Sequence, residues 1–216
     1  PDFDLDALKD AFQQAFERIW RGDAENDGFN DLILAAGLDW RQVAMLRACC
    51  KYLLQTGVPF SQAYMEQTLC KYPLHARLLV ELFEAKFDPA REQPSRTVAD
   101  AARKRIAREL APLFGEEIDR LHPHLIESLG AVRGEARERQ VEAAVKAIGA
   151  VMDSVASVDE DRILSSFMAV IRACLRTSFY QLHDGRPREV VSYKLDPSKL
   201  PDLPKPRPYR EIFVYG

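Results

Sequence analysis

Apolar residues recur every three or four positions through most of the chain before Gly185. This spacing places the apolar side chains on one stripe of an α-helix. The clearest stripes run from Asp4 to Trp20, from Asp39 to Leu54, from His75 to Phe87 and from Glu135 to Val155. Because the connections between these helices are short, we expect neighbouring helices to pack antiparallel. The sequence therefore predicts a mainly α fold built from antiparallel helical bundles.

Residues with helix-capping chemistry mark several predicted helix starts. The strings DWRQ at 39–42 and SVDE at 157–160 have the form of capping boxes, in which two residues satisfy each other's backbone N–H groups. Asn30 and Ser61 are favourable N-caps for two further helices. We expect the helix that begins after SVDE to continue along its apolar stripe to Phe179.

The character of the chain changes after Gly185. Six of the thirteen prolines lie in the last thirty residues, together with two β-like stretches, Glu189 to Leu195 and Glu211 to Tyr215. The two stretches can pair with each other, but an isolated two-stranded ribbon is only marginally stable, so it normally completes a larger sheet. We therefore expect a short C-terminal β-ribbon and an extended proline-rich segment after the helices.

The pattern divides the chain into three parts. Residues 1–88 form one predicted helical subdomain, residues 95–184 form a second, and residues 185–216 form a proline-rich connector with strands. The stretch Asp88 to Ser95 contains two prolines and mixed charge, which is typical of a linker. Pro112 and Pro123 either kink the helices of the second part or begin new ones, and the sequence leaves both alternatives open.

Composition excludes several classes of function. The formal net charge is −3 and basic and acidic residues are interleaved, so we expect no nucleic-acid partner. No apolar stretch approaches the roughly 20 residues that span a bilayer, so we expect no membrane insertion.

The four cysteines lack C-x-x-C spacing and lie in apolar helical patterns, which is typical of reduced core thiols in a cytosolic protein. A disulfide or metal role is the alternative. They are Cys49, Cys50, Cys70 and Cys174.

The motifs of common catalytic and cofactor sites are missing from the sequence. The glycines are scattered singly, and neither glycine-rich phosphate-binding pattern occurs, so we predict no nucleotide site in these residues. His122 and His124 form an HPH string without a further metal ligand at suitable spacing, and no nucleophile motif accompanies His75 or His183. The carboxylates at 159–161 suit a helix N-terminus. We therefore predict no catalytic, cofactor-binding or metal residue in the chain.

Four strings resemble one protein family, the large-type bacterial NAD-specific glutamate dehydrogenases. They cover much of the chain from about Phe29 onward, although residues 96–154 contribute little to the likeness. The strings are LDWRQVAMLRACCKYLLQTGVPFSQAYMEQTL, ARLLVELFEAKFDP, DEDRILSSFMAVIRACLRTSFYQ and YKLDPSKLPDLPKPRPYREIFVYG.

The resemblance implies an enzyme that oxidises L-glutamate to 2-oxoglutarate and ammonium while it reduces NAD⁺. It also implies that this chain is an internal fragment between regulatory modules and a catalytic domain that begins near the strand EIFVY. The NAD site and the catalytic lysine and aspartate of the family would then lie beyond Gly216, and we assign none of them to a residue of this chain. We accordingly expect the 216-residue chain to be inactive on its own.

Two hypotheses about function follow. The first is a non-catalytic helical segment that links the regulatory and catalytic regions of a cytoplasmic, homo-oligomeric glutamate dehydrogenase, with the rest of its own polypeptide as partner. The alternative is a free-standing helical interaction or scaffold module that binds a partner through an exposed apolar stripe.

Overall fold

The computed structural model describes residues 5–91, 136–201 and 203–216 of the chain. Within these ranges the chain forms seven α-helices, and the predicted mainly α class is confirmed. The helices are α1 (Leu5–Trp20), α2 (Leu32–Ala35), α3 (Trp40–Gln55), α4 (Gln62–Lys71), α5 (Pro73–Phe87), α6 (Arg137–Met152) and α7 (Val158–Ala173). The predictions for Pro112, Pro123, His122 and His124 lie outside the described residues.

Five short strands follow α7. They are β1 (Cys174–Thr177), β2 (Leu182–His183), β3 (Arg186–Pro187), β4 (Val191–Leu195) and β5 (Glu211–Tyr215). The strands β1, β4 and β5 form a three-stranded antiparallel sheet in the order β1-β4-β5, and β2 pairs with β3 in a small hairpin. Tyr193 lies opposite Thr177 on one side and Phe213 on the other. The predicted pairing of the two β-like stretches is thus confirmed, and β1 enlarges their ribbon to a sheet.

One cluster of buried apolar side chains runs through the helices and the sheet. It includes Leu46 of α3, Leu79 of α5, Ile148 of α6, Phe167 of α7 and Tyr193 of β4. The helix α5 packs along α6, and α7 contacts α3, α4 and α5. Elements from before and after the undescribed stretch 92–135 therefore share one core, while the division into subdomains at 88 and 95 stays a prediction.

The caps of the helices follow the predicted chemistry in part. Asp39 and Gln42 make both bonds of a capping box: the backbone N–H of Gln42 donates to Asp39 at 2.8 Å, and that of Asp39 donates to Gln42 at 2.9 Å. Ser61 caps α4. The predicted second box is half made, because Ser157 accepts from the backbone N–H of Glu160 while the Glu160 side chain turns to other partners.

Three sequence expectations are corrected. The turn before α2 is capped by Asp27 rather than Asn30, since the Asp27 carboxylate accepts the backbone N–H of Phe29. The apolar helix after SVDE ends at Ala173, and the residues from Cys174 form a strand because they pair with β4. Trp20, the last residue of the predicted apolar stripe from Asp4, is 82% exposed, whereas Ala15 of α1 is buried.

Candidate functional site

The sheet is attached to the helices through a cluster of aromatic rings. Phe83 of α5 lies at its centre, 5.2 Å from the ring of Phe179 and 6.3 Å from that of Tyr193 between centroids. Tyr193 in turn contacts Phe213 of β5, and Phe213 packs edge-on against Tyr52 of α3 at 5.5 Å. Aromatic pairs of this kind add to the stabilisation that burial of their area provides. The sheet is therefore held against α3 and α5, and we call this contact the helix–sheet junction.

A hydrogen bond joins α3 to the first residue of β5 across the junction. The hydroxyl of Tyr52 donates to the Glu211 carboxylate, and the Tyr52 ring is buried. Burial, and then the bond to Glu211, raise the pKa of Tyr52 well above its usual value. The hydroxyl therefore stays protonated and available as a donor at every physiological pH.

Lys86 fixes the point at which α7 ends and β1 begins. Its ammonium donates to three backbone carbonyls, those of Ile171 at 2.9 Å, Arg172 at 2.9 Å and Cys174 at 2.7 Å. The last carbonyls of a helix have no partner within the helix, and a cation is favourable beside them. Burial lowers the pKa of Lys86 to about 8, which leaves the ammonium mostly protonated at neutral pH. A side chain from α5 thus stabilises the change from helix to strand after Ala173.

The outer side of the sheet is open to solvent. Strand β5 lies at one edge, and its Ile212 and Val214 side chains are 72% and 56% exposed while Phe213 is buried. An edge strand presents unpaired backbone groups to which a further strand can add. The junction therefore holds a sheet edge in a fixed position relative to the helices.

The cysteines occupy core positions. Cys49, Cys50 and Cys174 are buried and Cys70 is partly exposed, and all four are free thiols. Burial raises the pKa of Cys50 to about 12 and the pKa of both Cys70 and Cys174 to about 11. The prediction of core thiols is confirmed for the three buried residues, and all of these thiols are protonated at neutral pH.

The two described histidines differ in environment. His75 is buried, its Nε2 lies 3.0 Å from the Val151 carbonyl oxygen, and Nδ1 has no hydrogen-bond partner in the described part of the chain. Burial lowers the pKa of His75, so a neutral ring donates its Nε2–H to Val151. His183 is exposed beside Asp184. Neither ring belongs to a group of three potential metal ligands in the described ranges.

Glu160, in the acidic first turn of α7, bonds two residues at the end of α4. Lys71 donates to its two carboxylate oxygens at 2.7 and 2.9 Å, and the Tyr72 hydroxyl donates at 2.7 Å. The bond from Lys71 is the main reason that the pKa of Glu160 is lowered. This contact joins the end of α4 to the start of α7.

The described ranges contain neither a metal-binding cluster nor a membrane-spanning helix. In residues 5–91, 136–201 and 203–216, no three His, Cys, Asp or Glu side chains lie close enough together to hold a metal ion. Nor does any helix of this described portion combine the length and apolar character needed to cross a membrane. That the chain contains no catalytic, cofactor or metal residue stays a prediction.

Sequence reasoning missed Lys86 and the Tyr52–Glu211 pair. The signal for Lys86 was weak: it is a single lysine among apolar residues near the end of a helical stripe, and its partners are backbone carbonyls about 85 residues later. Tyr52 and Glu211 are separated by 159 positions, and no local pattern relates them.

Two protein-family models match the chain. Glutamate dehydrogenase helical motif 3 matches residues 24–89, and the bacterial NAD-glutamate dehydrogenase catalytic domain matches residues 147–216. The second match includes α7 and all five strands, so it begins well before Glu211–Tyr215, the strand at which the resemblance placed the start of the catalytic domain. The junction lies between the two matched stretches, since α3 and α5 fall in the first and the sheet in the second.

Curated relatives agree with the family models. The chain is 36% identical to the NAD-specific glutamate dehydrogenase of Halomonas elongata over 99% of its length. It is 37% identical over 95% of its length to the enzyme of the same name from Mycobacterium tuberculosis, and 36% identical over its whole length to that of Pseudomonas aeruginosa. The chain spans only 10–11% of the length of each relative.

Proposed function

The chain belongs to the family of bacterial NAD-specific glutamate dehydrogenases, and we propose that it is the segment of such an enzyme in which a helical module holds the first part of the catalytic domain. The whole enzyme would oxidise L-glutamate to 2-oxoglutarate and ammonium and reduce NAD⁺. The segment's own role would be positioning rather than chemistry, with the rest of the polypeptide as its partner in a cytoplasmic homo-oligomer.

The helix–sheet junction is the observation that carries this proposal. Tyr52 and Phe83 belong to the stretch that matches the helical motif, whereas Phe213 and Glu211 belong to the stretch that matches the catalytic domain. Their ring contacts and the hydrogen bond of Tyr52 to Glu211 attach the sheet to the helices. A displacement of about 1 Å far from the reacting atoms can slow an enzyme a hundredfold, so a rigid attachment of this kind matters for catalysis.

The positioning role is tested in the full-length enzyme with Tyr52→Phe. The substitution removes only the hydroxyl that bonds Glu211, so we expect the protein to fold, kcat to fall by at least about threefold and the KM for NAD⁺ to stay unchanged. Tyr209→Phe is the matched control, since Tyr209 is 84% exposed. Unchanged kcat for Tyr52→Phe, or an equal loss in the control, would refute the positioning role.

The second part of the proposal is that the 216-residue chain alone neither binds NAD⁺ nor oxidises glutamate, because its sequence has no phosphate-binding glycine motif. Isothermal titration calorimetry of the purified chain with NAD⁺ tests the first statement, and absorbance of NADH with glutamate tests the second. A full-length relative serves as the positive control. Saturable NAD⁺ binding at micromolar affinity, together with NADH formed from glutamate, would place the cofactor site inside this chain.

One observation favours the alternative of an interaction module. Phe12, Phe16 and Trp20 lie along one face of α1 and are 50%, 58% and 82% exposed. An apolar stripe of this kind is typical of a surface that contacts another protein. The reading frame distinguishes the two functions: an in-frame continuation with a glycine-rich βαβ pattern supports the dehydrogenase, and a stop codon directly after Gly216 supports the module.

A further inference from the structure

A cavity with a volume of about 810 Å³ lies on the side of α3 that faces α1 and the sheet. Its walls come from the end of α1 and the loop after it, from the start of α3, from the β2–β3 hairpin and from the ends of β4 and β5. Pockets that bind small molecules in proteins typically measure about 300–1,000 Å³. The cavity is therefore large enough for a ligand of substantial size.

The side chains around the cavity carry an excess of positive charge. Six arginines line it against three carboxylates. Three of the arginines already have acidic partners: Arg18 bonds Asp23 at 3.0 Å, Arg21 bonds Glu17, and Arg47 bonds Asp27 at 2.7 Å. The other three are Arg41, Arg186 and Arg188, and in the described portion of the chain no carboxylate lies within ion-pair distance of them.

Arg41 is held in place before any ligand binds. Its guanidinium lies 4.6 Å from the ring centroid of Phe179 and 5.6 Å from that of Trp40, and it donates one hydrogen bond to the Phe179 carbonyl oxygen. A guanidinium has five N–H donors, and within the described ranges Arg41 makes this one hydrogen bond. Burial lowers the pKa of Arg41, but arginine remains charged at all physiological pH values. The half-buried Arg41 guanidinium is thus held beside the rings of Trp40 and Phe179, and its other N–H groups can donate to a ligand.

Arg186 and Arg188 line the same cavity. Both lie on or beside the β2–β3 hairpin and are exposed to solvent. Long exposed side chains can turn toward a ligand at low cost, whereas Arg41 supplies a fixed point. Removing a charge from water without a counter-ion costs free energy, and a bound anion would offset that cost for Arg41.

We propose that this cavity binds a small molecule with several negative charges, carried on phosphate or carboxylate groups. Both groups accept two parallel hydrogen bonds from one guanidinium, which explains why arginine rather than lysine lines the cavity. Arg41 would bind one acidic group, and Arg186 and Arg188 would bind the others. This site stands on its own geometry and does not depend on the enzyme activity proposed above.

Isothermal titration calorimetry of the 216-residue chain tests the proposal with two probes, inorganic tripolyphosphate for phosphate groups and citrate for carboxylates. We expect saturable binding of at least one probe, and the stronger of the two identifies the acidic group that the cavity prefers. Arg41→Gln should weaken binding about tenfold or more, since one charged contact contributes roughly that factor. Affinity should also fall as salt rises.

Two further variants keep the test decisive. The double variant Arg186→Gln and Arg188→Gln changes only exposed hairpin residues, so it tests the site even if Arg41→Gln fails to fold. Arg172→Gln removes the same charge from an exposed position at the end of α7, outside the cavity, and should leave affinity within about twofold. No binding of either probe below about 1 mM, or equal weakening by Arg172→Gln and the cavity variants, would overturn the proposal.

Discussion

Replacing Lys86 by methionine tests the end of α7 directly. Lys86→Met keeps a chain of similar length but removes the ammonium and its three hydrogen bonds, which measure 2.7–2.9 Å. One hydrogen bond with a charged partner contributes roughly 1.5–3 kcal/mol, and bonds that share a single donor group are not additive. Since burial of the ammonium costs part of this gain, we expect the free energy of unfolding to fall by about 2–3 kcal/mol.

Urea denaturation of the 216-residue chain measures the loss, and hydrogen exchange locates it. The backbone amides of β1, Cys174–Thr177, should exchange faster in the variant, because the helix end that precedes them loses its cap. Lys146→Met is the matched control: Lys146 is 75% exposed and pairs with Glu142 one helical turn away, so its loss should stay within about 0.5 kcal/mol. If Lys86→Met costs no more than the control, or leaves exchange of β1 unchanged, the reasoning about the cap is wrong.

The remaining predictions concern the buried histidine and the aromatic cluster. Burial lowers the pKa of His75 in the folded chain below its ordinary 6.5, so the unfolded chain binds a proton at this residue more readily than the folded chain does. The contribution of His75 to the free energy of unfolding is therefore complete above about pH 6.5 and is lost as the pH decreases through the folded-state pKa. His75→Gln, which can still donate to Val151, should flatten this slope between about pH 5 and 7 in urea titrations, and an unchanged slope would assign it to other groups. Phe83→Ala should lower the free energy of unfolding by about 3–5 kcal/mol, because Phe83 is 2% exposed at the centre of the ring cluster. Phe12→Ala is its control, since Phe12 is 50% exposed, and equal losses by thermal or urea unfolding would contradict the assigned role of the cluster.

The sequence predicts those parts of the fold whose causes are local. Apolar spacing predicted the helix class, and the capping box of Asp39 and Gln42 predicted the start of α3 because both partners lie within one turn. The two β-like stretches that became β4 and β5 were predicted from composition, as was their pairing. In each case the residues that decide the conformation are neighbours in the chain or belong to the same short segment.

The predictions that were wrong concern features that depend on residues far apart in the sequence. The apolar spacing predicted that the last helix continues to Phe179. The helix ends earlier because Cys174 pairs with Leu195 in β4 and because Lys86 donates to the carbonyls at the helix end. Asp27, rather than Asn30, became a cap because it also binds Arg47, a buried arginine twenty positions away. Tertiary contacts of this kind override local propensity and cannot be read from spacing alone.

The charged cavity could not be predicted from the sequence for the same reason. The arginines of the cavity that have no ion-pair partner among the described residues are at positions 41, 186 and 188, and the overall charge of the chain is slightly negative. A balanced composition predicts no extended basic surface, but it gives no information on how charges are distributed after folding. Local charge excess in a folded cavity is thus compatible with an acidic chain.

The position of Lys86 also bears on how the two matched family stretches depend on each other. Lys86 lies in the stretch that matches the helical motif, and the carbonyls that it binds lie in the stretch that matches the catalytic domain. The aromatic cluster crosses the same boundary, since Phe83 contacts Phe179 and Tyr193. Strand β1 therefore depends on a helix that precedes it by about ninety residues. The conformation of β1, which lies inside the catalytic-domain match, is thus stabilised by side chains that the match itself does not contain.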